Sequence, residues 1–309
     1  MQARRVLVSG AGGFIGRWSV PALLKRGYEV HAVLSGRSSR AVPEELRGAQ
    51  IHFADLLSEA PTEELLAKVN ATHLLHFAWI ATPGLYWNSP ENFNWLAAGE
   101  RLLRSFGAHG GRRVLMAGSC AEYDWSQVEE CDELRSPLAA SSPYAECKIA
   151  LQKSLVEFGR RAGISSAWGR IFFQFGPYEH PDRLVPSVIC NLLLGREAPC
   201  SHGGQIRSFL HVADVGAAFA AVLDSAVEGP VNIGSDERIA LFDLIHRIGD
   251  EIGRPELLRM GARPAPVGEP PVLLPATHRL HDEVGWRPQL TLKAGLSGTI
   301  DWWRGRLQP

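Results

Sequence analysis

The sequence of 309 residues predicts an α/β fold, and three of its features support that class. Short apolar stretches typical of strands recur along the chain, and longer segments with helical periodicity lie between them. A glycine-rich turn joins the first of these strands to the first helix. Because strands that alternate with helices form a parallel sheet covered on both faces, we predict a doubly wound parallel sheet of the Rossmann type.

The first strand, Val6–Val8, leads into a turn with the spacing G-x-x-G-x-x-G. Gly10 can adopt the positive φ of a sharp turn. Gly13 has no Cβ, so a pyrophosphate can approach the helix N-terminus, and Gly16 lets the helix lie close to the strand. A turn without a ligand is the alternative, but its position between strand and helix favours dinucleotide binding. The predicted cofactor contacts of the turn are Gly10, Gly13, Phe14, Ile15 and Gly16.

The segment after the second predicted strand, 28–34, favours NADP(H) over NAD(H). An acidic residue at this place would bind a free ribose 2′-hydroxyl, whereas an arginine binds a 2′-phosphate. The segment has no acidic residue, and Arg37 and Arg40 lie among serines. Ser35 and Arg37 are therefore predicted to contact the cofactor, with a solvated basic loop as the alternative.

Two further strands are predicted to end at the cofactor. The third strand, 50–56, ends at Asp55, which could meet the adenine amino group. In the fourth strand, 73–79, His76 is interpreted as a core residue, because a histidine in an apolar strand is more often buried than catalytic. The contacts predicted from these two strands are Asp55, Leu56, Phe77 and Ala78 for the cofactor and Trp79 for the substrate.

The predicted catalytic residues follow the fifth strand. Ser119 comes directly after Arg113–Gly118, at the sheet edge where such folds bind ligands. Tyr144 and Lys148 are spaced i, i+4 in a helix-forming segment and therefore share one face. A free phenol, with a pKa near ~10, is a poor acid–base catalyst at neutral pH, and we expect the ammonium to lower that pKa. A surface tyrosine and lysine are the alternative.

Composition and charge exclude other classes of function. The net charge of −1, from 32 basic and 33 acidic residues, indicates neither a nucleic-acid nor an anionic-membrane partner. No apolar run approaches the ~20 residues that span a bilayer, and the strand after Arg5 leaves no room for a signal peptide. Five scattered cysteines argue for a reducing compartment and against disulfides or a zinc site. We expect a cytoplasmic protein without a metal.

The glycine turn, Ser119 and the Tyr-x-x-x-Lys pair, in this order, resemble the extended short-chain dehydrogenase/reductase (SDR) superfamily. The branch is that of the NAD(P)-dependent nucleotide-sugar epimerases, dehydratases and reductases. Further matches are 170–177, 207–215, 232–234 and 285–288. The resemblance implies a catalytic triad of Ser119, Tyr144 and Lys148, with Lys148 also holding the nicotinamide ribose. The substrate contacts that it implies, besides Trp79, are Cys120, Gln174, Leu184 and Val185 at the nucleotide sugar and Arg207 at its diphosphate.

At some positions the sequence departs from the motifs of this superfamily, and these differences argue against two of its reactions. Cys120 and Ala121 stand where 4,6-dehydratases carry an Asp-Glu pair, which disfavours dehydration. Ala121 and Arg183 stand where the epimerase-reductases of GDP-fucose synthesis carry cysteine and histidine, which disfavours C3/C5 epimerisation. Glu179 or His180 could still transfer protons in the pocket, although a solvated loop is the expected state of both.

Three functions remain in view. In the first, a nucleotide-activated 4-keto-(deoxy)sugar is reduced by NADPH, with Tyr144 as proton donor. In the second, a tightly bound NAD(P) oxidises and re-reduces C4 of a nucleotide sugar, which gives a C4-epimerase. The third is a catalytically inactive, cofactor-sensing regulator, which the intact Ser119, Tyr144 and Lys148 argue against. Arg37 favours the reductase.

We expect the chain to form two domains and to assemble as a homodimer. Residues 1–168 form the Rossmann domain, to which 205–235 returns, and 169–309 mostly form a smaller C-terminal substrate-binding domain. The proline-rich stretch 264–275 is expected to be a loop over the substrate cleft. The predicted helices 92–109 and 143–161 resemble a dimer interface of relatives, with an apolar stripe of Leu102, Leu103, Leu151 and Leu155. Pro21 predicts a kink in the first helix or a late start.

Overall fold

The computed structural model describes residues 4–36, 41–265 and 268–307. The strands are β1 (Arg5–Ser9), β2 (Glu29–Leu34), β3 (Gln50–Phe53), β4 (His73–His76), β5 (Arg113–Ser119), β6 (Glu130–Cys131), β7 (Ser165–Ile171), β8 (Phe173–Phe175), β9 (Ala198–Pro199), β10 (Ile206–His211), β11 (Gly229–Ile233), β12 (Arg238–Ala240), β13 (Leu258–Arg259) and β14 (Leu274–Pro275). The α-helices are α1 (Gly16–Lys25), α2 (Glu59–Val69), α3 (Glu91–Ala108), α4 (Pro143–Ala162), α5 (Leu184–Leu193), α6 (Val212–Asp224), α7 (Leu241–Ile252) and α8 (Leu292–Leu307).

Seven parallel strands form the central sheet, in the order β11-β7-β5-β4-β1-β2-β3. β1 lies between β2 and β4, with Val6 level with Val30 on one side and with His73 on the other. The chain therefore winds outward from β1 in both directions, which leaves a crevice at the carboxyl ends of β1 and β4. The doubly wound Rossmann-type sheet predicted from the sequence is confirmed.

Helices cover both faces of this sheet. On one face, Val20 and Leu23 of α1 pack with Phe219 of α6 in a buried core. The other face is covered by α2, α3 and α4, and their buried side chains form a second core with the sheet. This core contains Leu102, Leu103, Leu151 and Leu155, each at most 1% exposed within a single chain. The expectation that these leucines form an intersubunit stripe is therefore wrong, because they cover the sheet of their own subunit.

Residues 205–235 divide between the two parts of the molecule. α6 lies against α1, and β11 is the edge strand of the large sheet beside β7. β10, in contrast, lies between β8 and β12 in a separate three-stranded sheet. This small sheet packs with α5, α7 and α8 around a third apolar core. Within 205–235, α6 and β11 thus lie with the large sheet, and β10 lies in the small sheet.

The first helix continues through its proline. α1 begins at Gly16 and includes Pro21, so the carbonyl of Arg17 lacks its intrahelical N–H donor. α3 and α4 lie within one residue of the predicted bounds 92–109 and 143–161. All five cysteines are free thiols. In the described part of the chain no helix is both long and apolar enough to cross a bilayer.

Candidate active site

The glycine-rich turn forms a tight cradle at the end of β1. Gly10 has φ +67°, and a Cβ there would lie 2.8 Å from the backbone nitrogen of Ala78, at the end of the neighbouring strand β4. A Cβ on Gly13 would lie 3.1 Å from the Gly10 carbonyl oxygen. The N–H groups of Phe14 and Ile15 donate to no other described backbone group. Free N–H donors in front of α1 fit the pyrophosphate of a dinucleotide.

Gly16→Ala should disrupt this cradle, because its Cβ would lie 2.2 Å from the Gly10 carbonyl oxygen. Overpacking of this kind costs about 1–3 kcal/mol, and it displaces the turn that would meet the cofactor. We expect at least about tenfold weaker dinucleotide binding, from the displaced donors, in a fluorescence titration. Gly298→Ala in α8, where a Cβ would have nothing within 4 Å, is the control and should bind normally. Unchanged binding by Gly16→Ala would contradict this account of the turn.

Arg17 holds the turn and was missed by the sequence analysis. Its guanidinium donates to the carbonyl oxygens of Gly12 (2.9 Å) and Gly13 (3.3 Å). It also lies 3.8 Å from the centre of the Tyr178 ring and forms an ion pair with Glu45. A cation in the first turn of a helix opposes the helix dipole, and that unfavourable placement was the signal in the sequence.

The remaining predicted cofactor contacts are distributed around the same crevice. Arg37 and Arg40 lie outside the described residues, and exposed Ser35 directly follows β2. Asp55 accepts a hydrogen bond from the N–H of Leu57 (3.1 Å), and Leu56 is buried. Phe77 and Ala78 follow β4, and their N–H groups donate to the hydroxyl of Ser9. Buried His76 shares a 2.7 Å hydrogen bond with the same hydroxyl, as expected for a core histidine, and burial lowers its pKa to about 3.

Ser119, Tyr144 and Lys148 lie together at the carboxyl end of β5. Ser119 is the last residue of that strand, and its hydroxyl hydrogen-bonds the phenol of Tyr144. Ser142 caps α4 by accepting a hydrogen bond from Ala145, which places Tyr144 and Lys148 in the first turns. The Lys148 ammonium lies 5.8 Å from the centre of the Tyr144 ring. The structure therefore brings the three predicted catalytic residues together.

Trp79 connects this triad to the glycine turn. It directly follows Ala78, against which Gly10 packs, and its indole ring lies 3.8 Å from the Lys148 ammonium. The predicted substrate contact is thus a cation–π partner of the lysine. Lys148 also donates to the carbonyl oxygen of Ala117 (2.9 Å).

The pKa of the Tyr144 phenol is raised, not lowered as expected from the nearby ammonium. The pKa of Tyr144 lies above its ordinary value, because burial penalises the phenolate more than the hydrogen bond from Ser119 favours it. Burial also lowers the pKa of Lys148 to about 7, against the opposing charge of Glu122. The charge of the lysine alone would favour the phenolate, but both groups have lost solvent, which disfavours the charged form of each. Tyr144 is therefore held as a neutral phenol.

Aromatic side chains cause much of this burial. Tyr86 and Trp87 pack edge-on against Tyr144, with ring centres 4.9 Å and 5.6 Å away. Asn92 holds their loop in place, since its side-chain amide donates to the carbonyl oxygen of Tyr86 and accepts from the Trp79 indole N–H. Tyr86 and Trp87 are not among the site residues predicted from the sequence. The structure places them beside the candidate proton donor.

A buried ion pair between Glu122 and Arg170 holds the backbone of Ser119, and it was not predicted from the sequence. Glu122 is fully buried, and its carboxylate accepts from the backbone N–H of Ser119 (2.7 Å) and from Arg170 (2.7 Å). The indole N–H of Trp168 also donates to it (3.0 Å). Gln152 accepts a hydrogen bond from the far side of the guanidinium (2.9 Å). Glu122 lies three residues after Ser119 as in a capping box, and that spacing was the available signal.

The residues predicted to contact the substrate differ from one another in their surroundings. Cys120 lies beside Ser119, and burial raises its pKa to about 12, so it is a thiol rather than a thiolate. The side-chain carbonyl oxygen of Gln174 is buried without a partner among the described residues. Leu184 and Val185 begin α5 and pack into the core of the smaller part of the molecule. These four positions remain predictions as substrate contacts.

The predicted diphosphate contact, Arg207, already has protein partners. Its guanidinium donates to the carbonyl oxygens of Ile206, Pro270 and Pro271 and forms an ion pair with Glu269 at 3.5 Å. Part of the proline-rich stretch 264–275 therefore closes over this arginine. Arg183 lies 5.3 Å from the centre of the Tyr86 ring, which packs against Tyr144.

Glu179 is buried, contrary to the expected solvated loop. Its side chain is 8% exposed, and one carboxylate oxygen has no partner among the described residues. Burial raises the pKa of Glu179 to about 8, although the charge of Arg183 opposes the shift. His180 is exposed, as expected, and lies 3.6 Å from Asp182. Glu179 is thus a buried protonatable group near Arg183.

The raised pKa of Glu179 makes the stability depend on pH. Between pH 5 and pH 8 the folded protein retains a proton that an unfolded glutamate has released, so the free energy of unfolding should fall as the pH rises. Glu179→Gln should remove on the order of 2–4 kcal/mol of that decline, as measured by urea unfolding at both pH values. Asp182→Asn, which changes an exposed carboxylate, is the control. An unchanged pH dependence in Glu179→Gln would contradict the assignment.

These features meet the requirements of a dinucleotide-dependent oxidoreductase. The glycine cradle fits a pyrophosphate, Tyr144 and Ser119 can donate hydrogen bonds to one substrate oxygen, and Lys148 lies where a ribose could be held. A nicotinamide bound there would supply or accept a hydride.

Comparisons with known proteins agree with this geometry. The profile of the NAD dependent epimerase/dehydratase family matches residues 6–234. The UDP-glucose 4-epimerase of Corynebacterium glutamicum is 23% identical over 93% of this chain and 92% of its own length. UDP-glucuronic acid decarboxylase 1 of Xenopus tropicalis is 24% identical over 99% of this chain and 73% of its own.

Solved structures show the same fold. The Thermus thermophilus UDP-glucose 4-epimerase in complex with NAD superposes with a TM-score of 0.86, at 25% identity over 98% of this chain and all of that one. The Methanobrevibacter ruminantium UDP-N-acetylglucosamine 4-epimerase gives a TM-score of 0.87, at 23% identity over 99% and 100%. The family match covers most of the chain, and the matched residues include the glycine cradle and the three predicted catalytic residues. The protein therefore belongs to the NAD dependent epimerase/dehydratase family and is an enzyme of the extended short-chain dehydrogenase/reductase type.

Proposed function

We propose that this enzyme reduces a nucleotide-activated 4-keto-(deoxy)sugar with NADPH. The placement of the Tyr144 phenol, beside Ser119 and one helical turn from Lys148, carries the proposal. Reduction of a carbonyl requires a proton donor at the oxygen, and a neutral phenol is that donor. A C4-epimerase needs the same group first to accept a proton from a hydroxyl group and then to return it, so the choice of reduction follows from the preference for NADPH that Arg37 indicates.

The roles of the surrounding residues follow from their contacts. Ser119 and Tyr144 share a hydrogen bond, so both can approach the same carbonyl oxygen and polarise it. Tyr86 and Trp87 exclude water from the phenol, which strengthens its interaction with the developing alkoxide. Lys148, held by Ala117 and Trp79, would bind the ribose hydroxyls of the cofactor.

The residues available around Tyr144 suit a nucleotide sugar. Arg183 supplies a positive charge beside Tyr86, and Arg207 a second one near Cys120. Guanidinium groups bind phosphate oxygens in paired geometry, and aromatic rings such as Trp87 and Trp125 pack against sugar faces. Cys120 and Ala121 offer no carboxylate for removing water, which argues against a dehydratase.

A C4-epimerase is the second candidate, favoured by the relatives. The three 4-epimerases described above match this chain over nearly its whole length. Such an enzyme would use the same triad but return the hydride to the opposite face of the sugar, without net consumption of coenzyme.

The deciding experiment measures coenzyme and sugar together. The protein is incubated with a 4-keto-6-deoxy sugar nucleotide and NADPH, and separately with UDP-glucose and no added coenzyme. One NADPH consumed per reduced sugar supports the reductase. Formation of UDP-galactose without NADPH consumption supports the epimerase and overturns the reductase. Cofactor binding without turnover of either substrate would indicate the inactive regulator.

The preference for NADP(H) rests on Arg37, which lies outside the described residues. The Thermus thermophilus relative is described with NAD. We expect kcat/KM to be higher with NADPH than with NADH, and Arg37→Asp to reverse the preference. Arg47→Asp, at an exposed arginine paired with Glu44, is the control. Equal use of both coenzymes by the wild type would contradict the proposal.

We also propose a homodimer formed by the outer faces of α3 and α4. The leucines predicted for this interface are buried within the subunit, but Phe93 on α3 and Val156 on α4 are about half exposed. Light scattering should give twice the 33.8 kDa chain mass. Phe93→Glu should shift that mass towards the monomer, because a charge would lie in the apolar contact. A wild-type mass of one chain would refute the dimer.

A further inference from the structure

Two carboxylates and an imidazole meet outside the candidate active site. Asp132, Glu133 and His278 each offer one potential ligand atom, and these atoms all lie within 4.8 Å of one another. The parallel pairing of β6 with β14 brings the two segments together, since Cys131 lies level with Pro275. Asp132 and His278 also line a surface cleft of about 380 Å³.

Hydrogen bonds already orient both carboxylates. One oxygen of Asp132 accepts from the backbone N–H groups of Leu134 and Arg135, both at 2.9 Å. One oxygen of Glu133 accepts from the N–H of Asn232 at 2.8 Å. In each carboxylate, one oxygen thus accepts hydrogen bonds from the backbone, and the second oxygen could bind a metal ion. Supporting bonds of this kind orient metal ligands in known sites.

The second oxygen of Glu133 is the unusual feature. It has no hydrogen-bond partner among the described residues, although the side chain is only 5% exposed. A buried carboxylate without a partner is unfavourable, and a cation would offset that cost.

Neighbouring arginines do not supply that cation. The guanidinium of Arg279 donates to the carboxylate of Glu283 and to the backbone carbonyls of Pro230 and Glu228. Arg238 forms its ion pair with Glu130 at the rim of the cleft. The charge of Arg279 acts on Glu133, and Arg135 lines the same cleft, but neither guanidinium hydrogen-bonds the second oxygen of Glu133.

We propose that Asp132, Glu133 and His278 bind a divalent transition-metal ion of the Zn²⁺ or Mn²⁺ class. An imidazole nitrogen beside two carboxylate oxygens suits these ions better than Mg²⁺ or Ca²⁺, which prefer oxygen ligands alone. At metal–ligand distances of about 2.0–2.2 Å, the ligand atoms lie about 3–4 Å from one another. The three atoms lie within 4.8 Å here, so a small movement of the exposed His278 side chain would bring them to that spacing. No cysteine takes part, so the cysteine pattern could not reveal the site.

The ion would join two distant segments of the chain. Asp132 and Glu133 follow β6, and His278 follows β14. The backbone carbonyl of Glu133 also accepts from Arg170, the partner of Glu122 beneath Ser119. The role of the ion is therefore structural: it stabilises the support of the active site and takes no part in proton transfer.

The test measures binding and stability of chelator-treated full-length protein titrated with ZnCl₂ or MnCl₂. We expect about one ion per chain by calorimetry and a rise of a few degrees in Tm, because an ion that binds only the folded state stabilises it. His278→Ala and Glu133→Gln should each weaken binding at least about tenfold and abolish the rise. His278 is exposed, so its variant is expected to fold normally even if Glu133→Gln does not.

His202→Ala, at an exposed histidine elsewhere, is the matched control and should bind as the wild type does. Two results would overturn the proposal: no saturable binding of either metal to the wild type, or undiminished binding to His278→Ala. Equal weakening in His202→Ala and His278→Ala would also overturn it, since it would show adventitious binding to surface histidines.

Discussion

Tyr144→Phe should lower kcat by about 10²–10⁴-fold, the range found when a positioned general acid is removed. The variant keeps the ring that packs against Tyr86 and Trp87 but lacks the hydroxyl that hydrogen-bonds Ser119. Cofactor affinity should stay within about twofold, because the phenyl ring preserves the packing around the site. Steady-state rates with the 4-keto sugar nucleotide, together with a fluorescence titration of NADPH, measure both quantities.

Tyr28→Phe is the matched control for this substitution. Tyr28 is buried and hydrogen-bonded to Asp224, but it lies at the other end of β2 from the candidate site. Its loss of a hydroxyl should leave kcat unchanged. If Tyr144→Phe retained the wild-type kcat, Tyr144 would not be the proton donor and the proposed mechanism would fail.

The activity should also fall as the pH rises through 7. The pKa of Lys148 is lowered to about 7 by burial, so the ammonium that would hold the ribose is present below that pH and lost above it. The phenol of Tyr144 remains protonated over the same range, because its pKa is raised. A kcat/KM profile for NADPH that is flat from pH 6 to pH 9 would contradict this assignment.

Glu122→Gln should reduce the free energy of unfolding by about 3–5 kcal/mol, as expected when one partner of a buried ion pair is removed. Arg170 would remain buried, 1% exposed, without its counter-charge. The support of the Ser119 backbone would weaken as well, so kcat should fall even under conditions in which the variant is fully folded. Urea unfolding and steady-state kinetics measure the two effects separately.

Glu157→Gln provides the control for Glu122→Gln. Glu157 also pairs with arginines, Arg160 and Arg161, but on the exposed surface of α4, where solvent screens the charges. We expect no measurable change in stability or activity there. A double variant that also carries Arg170→Gln should recover part of the stability lost in Glu122→Gln, because no unpaired charge remains. If Glu122→Gln alone were as stable as the wild type, the ion pair would not support the site.

The fold was predictable because its signals are local. An apolar strand, the glycines at 10, 13 and 16 and a following helix specify a dinucleotide-binding turn over about twenty residues. Helical spacing alone placed Tyr144 and Lys148 on one face, and Ser142 with Pro143 marked the start of their helix.

The parts that the sequence did not predict depend on contacts between distant segments. Glu122 and Arg170 are 48 residues apart, and only the sheet brings them together beneath Ser119. The leucines of α3 and α4 follow a helical pattern that does not distinguish the core of one subunit from an interface between two. The sequence predicts that Glu179 lies in a solvent-exposed loop, but its side chain is buried in the folded protein.

The sequence by itself determined the class of fold, the cofactor-binding turn and the identity of the three candidate catalytic residues, since each depends on residue type and short-range spacing. Only the tertiary structure decided how these residues ionise. Burial by Tyr86 and Trp87 raises the pKa of Tyr144, and burial lowers that of Lys148, because the free energy of a charge depends on how much water remains around it.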